Sequence, residues 1–136
     1  MRTELTIDFH LDPRSGVSAY MQIVHQVQRA IRCGLLRPGD RLPAAREVVA
    51  ALAINPNTVL KAYTELEHEG WAVSRVGVGT FVAETAPRAV AAEVHDRLTR
   101  SLRDWLAEAR REGLDQGAIE ALVSLTLDPT GREQVA

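Results

Sequence analysis

Asn57, Lys61, Thr64 and His68 recur at helical spacing, so a helix through them shows all four on one side. Three of them carry hydrogen-bond donors short or flexible enough to reach phosphates and base edges in a major groove; His68 is read as a surface residue. On the other side Val59, Ala62, Tyr63 and Leu66 fall at i, i+3, i+4, i+7 and form a stripe to bury. Asn55-Pro56 is a start signal for this helix, because Asn accepts backbone N–H bonds at the N-cap and Pro at the first position loses no bond. Asn57 and Thr58 then lie in the first turn, whose free amides favour a phosphate and which approaches base edges in groove-reading geometry. Upstream, Arg46 sits on the exposed start of another short helix. Downstream, Arg75-Val76-Gly77-Val78-Gly79 and Thr80 join two strand-like segments, with Gly77 and Gly79 permitting a tight turn and close approach to a sugar–phosphate backbone.

The elements that position these groups are legible from periodicity. Ser18 can cap a first helix whose stripe is Tyr20, Ile23, Val24, Val27, Ala30 and Ile31, with Gly34 as its stop. Pro38-Gly39 marks a turn, and Arg41-Leu42 can add a short strand before Pro43. A second helix from Ala44 to Leu52 turns Val48, Val49 and Leu52 inward; the break Ala53-Ile54-Asn55 uses Ile54 as an apolar plug, and the third helix covers 57–69, stopped by Gly70. The wing covers 75–80. After Pro87 an apolar stripe of Val90, Val94, Leu98, Leu102, Trp105 and Ala109 predicts a long helix. Gly113 breaks it, Asp115 can cap a shorter helix carrying Ala118, Leu122 and Leu125, and Asp128-Pro129-Thr130-Gly131 ends the order. The fold class is therefore mainly α with a small β wing: a winged helix-turn-helix domain over 1–84, followed by a two-helix segment over 85–136. The winged domain has too little surface to cover the long stripe, and a two-fold dimer through Val90, Val94, Leu98, Leu102, Trp105 and Leu122 buries it better.

Composition bounds this reading. The 136 residues suit one compact module and an appendage. The formal net charge is −2, with nine basic and nine acidic residues in 1–84 against seven and nine in 85–136, so affinity for a polyanion must come from locally sorted charge and two copies acting together. The N-terminus alternates charged and apolar residues and the longest apolar run is Val48 to Ile54, so no targeting or membrane segment is expected. The single cysteine, Cys33, suits a reducing cytoplasm and is read as a small helix hydrophobe. His10, His25, His68 and His95 are dispersed, and neither metal-ligand spacing, a nucleophile motif nor a phosphate-cradling loop occurs; no enzyme, metal or cofactor is expected.

Tyr20-Met21-Gln22-Ile23, the run from Gly34 to Pro43, Arg46-Glu47, Asn55-Pro56-Asn57-Thr58-Val59, Lys61-Ala62-Tyr63, Leu66 to Gly70 and Gly77 to Val82 together resemble the winged-helix transcriptional regulators called GntR, within them the short YtrA-like branch. The resemblance covers about Ser18 to Ala83. It implies that Arg46 contacts the DNA backbone or a guanine, that Asn57 and Thr58 contact the groove, and that Gly77 and Gly79 lie at the wing tip near the minor groove. It also implies dimers built through the C-terminal helices and genes often adjacent to membrane-transporter operons. Four positions depart from the pattern. Ala44 stands where Ser often forms a capping box with Glu47, which removes roughly 0.5–2 kcal/mol of helix-start stabilisation. Ala53 stands where Gly is frequent, so a left-handed turn there is strained. Val78 and Leu60 replace basic or polar residues and remove phosphate contacts, leaving Arg75 as the wing's only cation.

The reading is a homodimeric, sequence-specific repressor or regulator that places helix 57–69 in a major groove of a palindromic double-stranded operator, with a wing near the minor groove. Two C-terminal helices leave room only for a small effector, or for one that changes the angle between the winged domains. The neutral charge balance motivates an alternative, a dimeric adaptor whose winged helix docks another protein.

Overall fold

Three helices form where the apolar stripes dictate. In the computed structural model, which describes residues 7–128, they are α1 (Ala19–Arg32), α2 (Ala45–Leu52) and α3 (Pro56–His68). Ile23, Val24, Val27, Ala30 and Ile31 of α1, Val48 of α2 and Val59, Ala62, Tyr63 and Leu66 of α3 are buried together, with Val49, Leu52 and Ile54 packed partly against them. At about 25 cal/mol per Å² of apolar surface, this shared burial is what holds the three helices, since none is long enough to persist alone.

The strands β1 (Ala72–Arg75) and β2 (Gly79–Val82) pair antiparallel with Ala72 opposite Val82, Val73 opposite Phe81, Ser74 opposite Thr80 and Arg75 opposite Gly79. The expected addition at Arg41-Leu42 is present as one bridge, Arg41 to Phe81, flanked by Leu42 N–H to Thr80 O and Val82 N–H to Asp40 O, each 2.8 Å. The chain ahead of α1 also belongs to the core: Ile7 and Phe9 are buried and Leu11 packs partly, while the intervening residues face out. Its backbone is paired by side chains rather than by a strand. Gln26 accepts from His10 N–H (3.0 Å) and donates to His10 O, and Gln22, one turn earlier, accepts from Asp12 N–H (2.8 Å) and donates to Asp12 O (2.9 Å).

The chain separates into two units, the first ending at Ala91 and the second beginning at Ala92. The second holds α4 (Ala92–Arg111) and α5 (Gln116–Leu127). Leu114 N–H closes α4 onto Ala109 O at 3.0 Å, and Asp115 caps α5 by accepting from Ala118 N–H at 2.8 Å, as its position in the sequence suggests.

Several expectations need correction. Ser18 occupies the N-cap of α1 without a side-chain cap bond; its carbonyl, not its hydroxyl, takes Gln22 N–H. Cys33 is the exposed C-cap of α1 rather than a hydrophobe within the helix. Val90 precedes α4 in non-helical chain and falls in the first unit, because four-residue spacing continues through a residue that is not helical. Asp128 closes α5, and the Pro129-Thr130-Gly131 stop lies outside the described residues.

Candidate nucleic-acid interface

α3 starts where the Asn55-Pro56 pair places it: the Asn55 side-chain oxygen accepts from Asn57 N–H at 2.8 Å, with Pro56 at the first helical position. That oxygen is committed to the helix start. Asn57, Lys61, Thr64 and His68 are exposed along one side, and Thr58 is half-buried. Lys61 leans towards α1, its ammonium 4.1 Å from the centre of the Tyr20 ring, a cation–π contact that leaves the charge near the head of α1.

The turn between α2 and α3 is tight because Ala53 is left-handed, at φ 53 and ψ 46, and its N–H closes α2 onto Val49 O at 2.8 Å. It is the one non-glycine with positive φ among the described residues, and a Cβ in that conformation is strained by about 1 kcal/mol or more. Ala44, the N-cap of α2, makes no side-chain cap bond, as a methyl group must not. The head of α2 is instead tied to α3 by Tyr63, whose hydroxyl donates to Pro43 O at 2.6 Å. Burial, with the Glu47 charge adding, pushes the Tyr63 phenol well above its ordinary pKa, so it remains a donor. Arg46 projects from this fixed start and is exposed. Among the described residues the close contacts of basic groups with carboxylates are His10–Asp8 and Arg88–Glu84, so no carboxylate of the described chain engages Arg46.

The wing's composition differs from expectation. Its tip is apolar and exposed, with Val76 and Val78 on either side of Gly77 (φ 74). Arg75 folds back over Phe81, 4.9 Å from the ring centre. Arg41 lies beside it: a Cβ built on Gly79 would come within 3.0 Å of Arg41 Nε. Alternation along the strands puts Val73, Arg75, Gly79, Phe81 and Arg41 on one face of this small sheet, so the wing carries two guanidinium groups, not one. Arg41 is legible in the sequence as part of a short strand but not as a neighbour of Arg75, because nothing local shows which strand it joins, some forty residues on. The other face is fixed to α3, where the Ser74 hydroxyl donates to the Glu67 carboxylate and lies 3.4 Å from the Thr80 hydroxyl.

A capped helix with an exposed row of donors, held at a set spacing from an unpaired arginine and a two-arginine hairpin, has the chemistry to engage a polyanion in grooves; it defines the winged helix-turn-helix class of DNA-binding domains. Residues 19–82 match the family described as bacterial regulatory proteins, gntR family. Over 105 residues the chain is 35% identical to the HTH-type transcriptional repressor YtrA of Bacillus subtilis (strain 168), covering 77% of this chain and 81% of that protein. Among solved structures it is similar to YtrA from Sulfolobus acidocaldarius, a GntR-family transcription factor (32% identity, TM-score 0.53, 70% of this chain and 97% of that one). It is also similar to a transcriptional antiterminator from Listeria monocytogenes EGD-e (26% identity, TM-score 0.59, 88% and 89%). The chain belongs to the gntR family, with a YtrA-like arrangement, and is a DNA-binding transcriptional regulator rather than an enzyme. No helix among the described residues is long and apolar enough to cross a membrane.

Proposed function

We propose that the chain acts as a homodimeric repressor whose two copies of α3 read a palindromic operator. Asn57, Thr58 and Thr64 address base edges, while Asn55, Lys61 and Arg46 hold phosphates or, for Arg46, a guanine. The wing approaches the adjacent backbone and minor groove through Gly77 and Gly79 at its turn and through Arg75 and Arg41 on its face, while the Thr80 hydroxyl lies on the other face, beside Ser74. The observation that carries the reading is the exposed polar row of α3, beginning at an Asn-capped, Pro-led first turn beside an unpaired Arg46. Repression is the role named for the relative YtrA of Bacillus subtilis. Dimerisation is supported by the exposed apolar residues of α4 and α5, Leu98, Leu102 and Leu122, with Val94 and Trp105 half-buried beside them in α4; Val90 lies outside these helices. Any effector acts on this helical segment.

The test is binding to duplex DNA that the purified protein selects from a random pool. Arg46→Ala and Asn57→Ala should each weaken binding by about 1–3 kcal/mol at matched salt, and the selected site should be two-fold symmetric, with half-sites one helical turn, or a multiple of it, apart. Two variants that bind like the parent, or a selected site without symmetry, would remove this reading. Affinity should fall steeply with added salt, which a surface built to dock another protein would not show.

A further inference from the structure

Leu60 breaks the polar surface of α3. Every other apolar side chain of the helix after Pro56 is buried, yet Leu60 is 52% exposed. An exposed leucine alone says little, since scattered apolar residues are ordinary on protein surfaces. Its position says more: Asn57 lies three residues before it and Thr64 four after, so Leu60 sits one turn from each on the side that carries them. A helix that reads a groove through Asn57 and Thr64 must press Leu60 against base edges as well.

The chemistry of the groove then restricts what Leu60 can meet. Of the groups that base pairs offer in the major groove, the C5-methyl of thymine is the one substantial apolar group; the C5–H of cytosine in the same place is much smaller and flanked by the N4 amine. Against a guanine or cytosine edge the isobutyl group would strip water from N7, O6 or N4 without replacing its hydrogen bonds, which is unfavourable. Against a thymine methyl both partners lose apolar surface to water. We infer that Leu60 is a specificity-determining residue that selects thymine by its methyl group at one position of each half-site. This rests on the proposed groove-reading role of α3, and makes Leu60 a contact in its own right rather than only the absence of a cation.

The experiment replaces each thymine of the selected duplex by deoxyuridine, which lacks only that methyl, and measures binding of the parent, Leu60→Ala and Asn57→Ala. Removing one methyl from contact with a leucine is worth about a four-fold loss of affinity, or roughly fifteen-fold when both half-sites are changed. The parent should show this loss at one symmetry-related pair of thymines, while Leu60→Ala binds thymine DNA correspondingly less well and is indifferent to uracil there. A parent indifferent to uracil at every thymine overturns the inference, and the arm on the parent needs no variant to fold. So does a Leu60→Ala protein that keeps the parent's uracil sensitivity, or a selected half-site with no required thymine. If Asn57→Ala still weakens binding in those cases, the groove-reading role stands and only the part assigned to Leu60 fails. If Asn57→Ala binds like the parent, the broader reading has failed first.

Discussion

In the winged unit Ile23, Leu42, Val59 and Leu66 are at most 1% exposed, whereas α4 leaves Leu98 and Leu102 at 54% and 53%. Both regions were built from the same signal, apolar residues repeating at helical spacing. The first closes its stripes on one another, and it satisfies the polar backbone of its leading segment with Gln22 and Gln26. In the second, Ala109 and Ile119, on either side of the turn, are buried among the described residues, while Leu98, Leu102, Leu122 and Leu125 face outward. The contrast teaches that periodicity reports where apolar surface must be covered, not by what. The winged unit buries its stripes within itself, whereas the helical pair leaves Leu98, Leu102, Leu122 and Leu125 exposed.

Substitutions can break that contrast. Leu66→Ala should destabilise the winged unit by about 2–5 kcal/mol, read from denaturant unfolding, because a wholly enclosed side chain leaves a cavity. Leu98→Ala, in the uncovered stripe, should shift the unfolding of isolated chains by no more than ~0.5 kcal/mol; comparable losses at both sites would mean that α4 is already packed. Leu102→Asp should leave the winged unit folded by circular dichroism yet abolish self-association in sedimentation, and lower operator affinity by about a hundred-fold as the two sites cease to act together. Retained affinity would assign the stripe some other partner.

Smaller effects sharpen the picture within the winged unit. Ala44→Ser restores a side-chain acceptor at an N-cap whose backbone is already extended and whose third helical residue is Glu47; thermal melting should report a gain of about 1 kcal/mol. Ala53→Gly relieves a left-handed alanine but frees the unfolded chain, so its net gain should be only about 0.5 kcal/mol.

What could be read in advance was local. Asn55-Pro56 announces a helix start within two residues, the three-residue break before Pro56 marks a tight turn, and Ala53 in place of glycine foretells the strain found there. The α3 faces were equally legible, since one short period sorts Val59, Ala62, Tyr63 and Leu66 from Asn57, Lys61 and Thr64. What escaped was non-local or aperiodic. Arg41 joins the wing only through pairing with a strand some forty residues on, and the glutamine clamps on His10 and Asp12 leave no periodic trace. Val90 was misplaced for the opposite reason: it extends a four-residue spacing although the chain there, three residues after Pro87, is not yet helical.

The bond from the Tyr63 hydroxyl to the Pro43 carbonyl runs from the middle of α3 to the loop that launches α2, three residues ahead of Arg46. It behaves as a gauge block between the two helices. Asn57, Leu60 and Thr64 take no part in that bond, so on the proposed reading substitutions there would change base preference while the block holds Arg46 in place. On that reading, base preference and the spacing between α2 and α3 rest on different residues, so either could be altered by substitution while the other is kept.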